Sequence, residues 1–128
     1  AGGRAVKLPV SGAFHTPYMK DVEPVLRTAL EKMPLQAPQI PVYANRTAGL
    51  YPADRAGITS LLSEQVCHAV RWEDTLRAMA ADGIDTFVEV GAGATLTGFV
   101  RRTLPEATAL TVNDFPSYEA VLKELLGD

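Results

Sequence analysis

The chain is 128 residues long, 47% hydrophobic and 21% charged, with a formal net charge of -3. That size and balance suit one compact globular unit and exclude a disordered segment; the slight acidity argues against nucleic acid as the main partner. A single cysteine, Cys67, excludes an internal disulfide, and no apolar run approaches the ~20 residues of a membrane span, so a cytoplasmic protein is expected.

Taken in order, residues 4–10 are apolar with charges at Arg4 and Lys7 and read as a short strand entering a turn. The opening Ala1-Gly2-Gly3, without methionine, suggests a chain that begins inside a longer one. Next comes Gly12-Ala13-Phe14-His15-Thr16-Pro17, which sets a histidine just ahead of a helix capped by Thr16 and started by Pro17. Met19, Val22, Val25, Leu26, Leu30 and Met33 recur at helical spacing until Pro34, with a kink or late start expected at Glu23-Pro24. Residues 40–45 read as a strand, and residues 55–66 as a helix whose Ile58, Leu61, Leu62 and Val66 share a face and whose first turn Gly57 weakens. A helix over 71–81 carries Trp72, Leu76 and Met79 inward and closes at Gly83. A strand over 86–90, a turn at Gly91-Ala92-Gly93 and a helix over 95–104, with Leu96, Phe99, Val100 and Leu104 inward, form a strand-turn-helix unit. A strand over 107–112 and a helix over 118–126 complete an α/β order that favours parallel pairing with helices on the sheet faces.

Three kinds of chemistry can be weighed on these elements. The Gly91-Ala92-Gly93 turn could cradle a phosphate, but the dinucleotide fingerprint breaks at Leu96, so tight-turn structure is the expectation. Cys67 and His68 are adjacent, and the other histidine is His15, so no set of three or four nitrogen and sulfur ligands can be assembled and zinc is not expected. His15 on its turn is a candidate general base or, alternatively, a surface polar residue or cap; the serines of the chain lack the strand-to-helix nucleophile elbow, so any serine it activates lies elsewhere. Cys67 reads as a small buried residue and His68 as a loop residue.

Three blocks in order, Gly12-Ala13-Phe14-His15, then Gln65-Val66 with Val70-Arg71-Trp72, then Glu89-Val90-Gly91-Ala92-Gly93 with Leu96-Thr97-Gly98, resemble the carboxyl-terminal part of the malonyl-CoA:acyl-carrier-protein transacylase family. The likeness extends between the blocks over essentially the whole chain. It departs from the family at Ala92, where many relatives have proline, and at Cys67-His68-Ala69.

The resemblance implies an α/β-hydrolase-like core with an inserted ferredoxin-like subdomain, residues 1–10 being the return strand of that insertion and 11–128 the closing part of the core. It implies transfer of a malonyl group from malonyl-CoA, through a serine ester, to the phosphopantetheine thiol of acyl carrier protein. His15 is then the general acid and base, and the backbone carbonyl of Gln65 orients its ring. Arg4 falls where the family contacts coenzyme A or carrier phosphates, or is a solvated arginine; Phe14 looks like the bulky residue that accompanies malonyl preference, or is plain packing. No cofactor is implied beyond the thioester substrate. The serine lies in a missing amino-terminal part, so this chain alone is expected to be inactive and to expose apolar surface that another stretch of polypeptide covers. The role implied is in fatty acid biosynthesis, with a polyketide synthase acyltransferase or a non-catalytic carrier-binding relative as the alternatives.

Overall fold

The computed structural model describes residues 2, 3, 5, 7 and 10–127. The strand expected over 4–10 falls largely on residues outside that set. The fold is mixed α/β. Where length suggests one compact unit, contacts divide the chain into two, one of residues up to Arg46 with Leu50–Val70, the other of Thr47–Gly49 with the residues from Arg71 onward.

The first unit opens with a 3₁₀ segment, Pro17–Val22, that runs directly into α1, Glu23–Glu31. The expected interruption at Glu23-Pro24 is this change of helix type: Pro24 sits in the first turn of α1, where its missing N–H costs nothing. Thr16 does not cap by its side chain. Its hydroxyl donates instead to the Ala13 carbonyl, 2.7 Å away, closing the turn that carries His15. The strand expected over 40–45 shrinks to β1, Tyr43–Ala44, which pairs with β2, Gly49–Leu50.

Helix α2, Arg55–Glu64, starts from an Asp54 cap whose carboxylate accepts the Gly57 N–H at 2.8 Å. Gly57 is there for space: a Cβ at that position would lie 2.5 Å from the Pro52 ring. Arg55 donates to the carbonyls of Glu31 and Met33, satisfying the end of α1 and tying α1 to α2. A three-residue 3₁₀ turn, Gln65–Cys67, ends the unit's helical part.

The second unit holds α3, Trp72–Ala81, β3, Thr86–Val90, α4, Thr95–Thr103, β4, Thr108–Val112, and α5, Phe115–Leu126. Strands β3 and β4 pair in parallel, Thr86 opposite Thr108 through Val90 opposite Val112, as the alternating order requires. Leu76, Val100 and Ala109 form the core, with Trp72, Phe87, Leu104 and Ala107 against it. Leu96 and Phe99, expected inward, are 42% and 38% exposed because nothing in this unit covers that side of α4; the Arg102 guanidinium lies over the Phe99 ring instead. Helix α5 starts three residues earlier than expected, on a reciprocal cap between Asp114 and Ser117 with Pro116 in its first turn. Among the described residues no helix is long and apolar enough to cross a membrane.

Candidate active site

The turn that carries His15 is built by its neighbours. Thr16, before a proline, is held extended at φ -131° and ψ 161°, and its carbonyl accepts the Met19 N–H as the 3₁₀ segment begins. His15 itself sits at φ 63°, in the left-handed region that costs a residue with a Cβ roughly 1–2 kcal/mol. Two bonds to consecutive residues offset that strain. The His15 N–H donates to the Val66 carbonyl at 2.9 Å, and ring Nδ1 donates to the Gln65 carbonyl at 2.9 Å.

A carbonyl only accepts, so Nδ1 carries the hydrogen and, in the neutral ring, Nε2 keeps the lone pair. His15 is exposed, and among the described residues Nε2 has no hydrogen-bond partner. The side-chain amide of Gln65 donates to the His68 carbonyl at 3.0 Å, and its nitrogen also lies 3.4 Å from His15 Nδ1. The arrangement can accept a proton at Nε2 while the far side of the ring stays fixed, which is what a general base needs. Phe14, half exposed, stands next in sequence; its ring lies over Gly12, where a Cβ would come within 3.1 Å of Phe14 Cε2. The structure therefore brings Phe14, His15 and Gln65 into one unit, and Arg4 lies outside the described residues.

No protein-family model matches the chain. Solved and curated proteins do. The malonyl CoA-acyl carrier protein transacylase of Clostridium perfringens superposes with a TM-score of 0.90 at 34% identity, over 98% of this chain and 39% of that one. The chain belongs to the malonyl-CoA:acyl-carrier-protein transacylase family. A polyketide biosynthesis malonyl transacylase of Bacillus velezensis, BaeC, is 40% identical over 102 residues, 80% of this chain and 35% of its own length. A malonyl-transacylase solved in complex with a type II polyketide acyl-carrier protein superposes with a TM-score of 0.87 at 30% identity, over 91% of this chain and 38% of its own. The chain thus spans less than two-fifths of the length of each of these transacylases.

Other candidate chemistry in this transacylase segment is accounted for by packing. Cys67 is buried, and burial first, then its bond to the Glu23 carboxylate, pushes its thiol up, away from the nucleophilic thiolate. His68 is exposed and its Nδ1 donates to the Glu64 carbonyl at 2.7 Å.

The Gly91-Ala92-Gly93 turn has its anion already. Both glycines have positive φ, 140° and 97°, and the turn delivers α4 so that Glu89 accepts the Leu96 N–H at 3.2 Å, the Thr97 N–H at 2.7 Å and the Thr97 hydroxyl at 2.7 Å. Those bonds, the Thr97 hydroxyl first, hold the Glu89 carboxyl below the usual range. A carboxylate from the preceding strand fills the helix end that a phosphate would use, which explains the failed fingerprint. Sequence reasoning passed over Glu89 in this role; an acid one residue before the strand end, followed by glycines and a helix, was its signal. A groove of the second unit, about 410 Å³ and lined by Trp72, Glu73, Arg77, Phe99, Arg102 and Thr103, contains none of the candidate site residues.

Proposed function

We propose that this chain is the histidine-bearing part of a malonyl-CoA:acyl-carrier-protein transacylase, with residues 11–128 closing an α/β-hydrolase-like core and residues 1–10 returning from an inserted ferredoxin-like subdomain. The observation that carries the reading is the His15 ring held through Nδ1 on the Gln65 carbonyl at 2.9 Å, with Nε2 left to meet a nucleophile. Membership of the transacylase family supports it. The nucleophile is a serine supplied by polypeptide outside this chain.

In the first half-reaction Nε2 takes the serine hydroxyl proton as the oxygen bonds to the malonyl carbonyl carbon of malonyl-CoA. The carbon–sulfur bond then breaks, and the imidazolium returns the proton to the departing coenzyme A thiolate. The second half runs in reverse. The phosphopantetheine thiol of acyl carrier protein gives its proton to Nε2, its sulfur bonds to the ester carbon, and the serine oxygen leaves with the proton. No aspartate is needed, because a neutral carbonyl suffices to fix the tautomer and to stabilise the imidazolium by one hydrogen bond.

Phe14 narrows the acyl site against an added methyl group, and Arg4 pairs with a phosphate of coenzyme A or of the carrier. The carrier protein is the macromolecular partner, and the enzyme works in the cytoplasm. Within this reaction a polyketide role is favoured over a fatty acid role by the 40% identity to a polyketide biosynthesis transacylase.

The test is mass spectrometry of the full-length protein that contains this chain after incubation with malonyl-CoA. The expected result is a malonyl adduct on one serine that moves to a carrier-protein thiol. Absence of the adduct in the full-length protein would overturn the reading.

A further inference from the structure

His15 depends on two carbonyls that belong to a single turn of 3₁₀ helix, and such a turn is poorly suited to hold itself. Its own closing bond, His68 N–H to the Gln65 carbonyl, is long at 3.3 Å, and the same oxygen also receives His15 Nδ1. The residues flanking those carbonyls are, however, both tied down by side chains. Before Gln65 stands Glu64, whose carboxylate takes Arg46 Nη2 at 2.7 Å, Arg27 Nη2 at 3.5 Å and the Ser60 hydroxyl. After Val66 stands Cys67, whose thiol donates to Glu23 Oε2 at 3.4 Å, and the other oxygen of Glu23 takes Arg27 Nη2 at 3.1 Å.

The connection is therefore continuous from Arg46 through Glu64, Arg27 and Glu23 to Cys67, and it brackets Gln65 and Val66. Its charged side chains are only 17% to 35% exposed, so it is better shielded than a surface pair. Arg46 Nε is buried and has no hydrogen-bond partner among the described residues, which leaves the Glu64 carboxylate as the guanidinium's compensating charge. Two arginines converge on that one carboxylate. Without it Arg27 would keep Glu23, but Arg46 would lose its compensating charge while partly desolvated, at the end of the helix that leads into the 3₁₀ turn.

We propose that Glu64, clamped by Arg46 and Arg27, is a positioning residue for His15, acting through the backbone carbonyls of Gln65 and Val66. The proposal rests on the reading of His15 as the acid and base and adds what keeps its tautomer and its left-handed backbone in place.

The experiment uses the full-length transacylase carrying this chain, with Glu64→Gln and Arg46→Met set beside Arg46→Lys and His15→Ala. Two quantities are read: single-turnover acylation of the serine across malonyl-CoA concentrations, and the His15 Nδ1–H proton resonance. In Glu64→Gln and Arg46→Met the rate at saturation falls by at least about tenfold, in the range that misplacement of a catalytic group produces. Half-saturation is unchanged, the Nδ1–H resonance is lost to exchange, and Arg46→Lys restores both readouts.

A wild-type rate with an intact resonance in Glu64→Gln overturns the proposal, as does a loss confined to half-saturation. If Glu64→Gln does not fold, Arg46→Met, which leaves Glu64 paired with Arg27, decides by the same two readouts. His15→Ala separates the layers: a wild-type rate in that variant removes the acid–base reading, whereas a slow His15→Ala beside a normal Glu64→Gln removes the network alone.

Discussion

At His15 the backbone and the ring are held by adjacent carbonyls of the same turn, so the side chain's direction is set by main-chain geometry rather than by an acidic partner. A prediction follows for Gln65. Its side-chain amide makes a neutral bond to the His68 carbonyl and only a long 3.4 Å approach to His15 Nδ1, so Gln65→Ala slows serine acylation by no more than about tenfold, the equivalent of one such bond. Gln65→Pro, which removes the N–H bonded to the Leu61 carbonyl and moves the Gln65 carbonyl, slows it further. Equal rates in the two variants would show that the carbonyl's placement is unimportant. His15 was legible as a candidate from its place between an extended segment and a helix start. Its positive φ was not, because histidine has no intrinsic need for it; the conformation is imposed by a bond to a residue fifty positions away. Gln65 could be found only through the family resemblance, since a backbone carbonyl leaves no mark in the residue type. The Glu64 cluster was illegible for a related reason: only Glu23 with Arg27 and Ser60 with Glu64 have helical spacing, and Arg46 joins them from a distant part of the chain.

At the scale of elements, strong periodicity placed β3 to the residue and α3 and α4 within one residue at an end, because apolar spacing and bounding glycines such as Gly83 and Gly91 are local signals. Where a side-chain bond decides the boundary, the pattern was a poorer guide. Thr16 spends its hydroxyl on Ala13, and Asp114 with Ser117 starts α5 at Phe115, a cap written in Asp-Phe-Pro-Ser but outweighed by the apolar spacing that follows. Glu89 is a larger case of the same kind, a strand residue that caps a helix across a glycine turn. The resulting pH dependence has a definite sign. The folded carboxyl is held below the 4.5 of a free glutamate, so its stabilising contribution is complete above that value and is lost as pH falls through the lowered folded value. Melting curves of the full-length protein and of Glu89→Gln are therefore expected to differ most near neutrality and to converge in acid. A gap that stays constant down to the acid limit would contradict the Glu89 account.

For the molecule as a whole, length and composition pointed to one globule, and contacts instead give two units, with the Leu76, Val100 and Ala109 cluster in the second. The cause is visible in what stays uncovered. Val90 at the end of β3 is 78% exposed, Phe115 at the start of α5 is 67% exposed and Leu126 near its end 78%, while Tyr18 beside the His15 turn is 89% exposed. Under the proposed function those side chains are covered by the rest of a longer transacylase; the chain spans under two-fifths of the length of its relatives. Composition cannot report such a partner, because the residues that face it look like any other core residues. The central claim, that His15 is the acid and base of an acyl transfer whose serine lies outside this chain, is tested most directly by rapid-quench acylation of the full-length protein by malonyl-CoA, wild type against His15→Ala. The account predicts serine loading slower by at least ~100-fold in the variant, the low end of general-base contributions, with its circular dichroism unchanged; loading at the wild-type rate would contradict it.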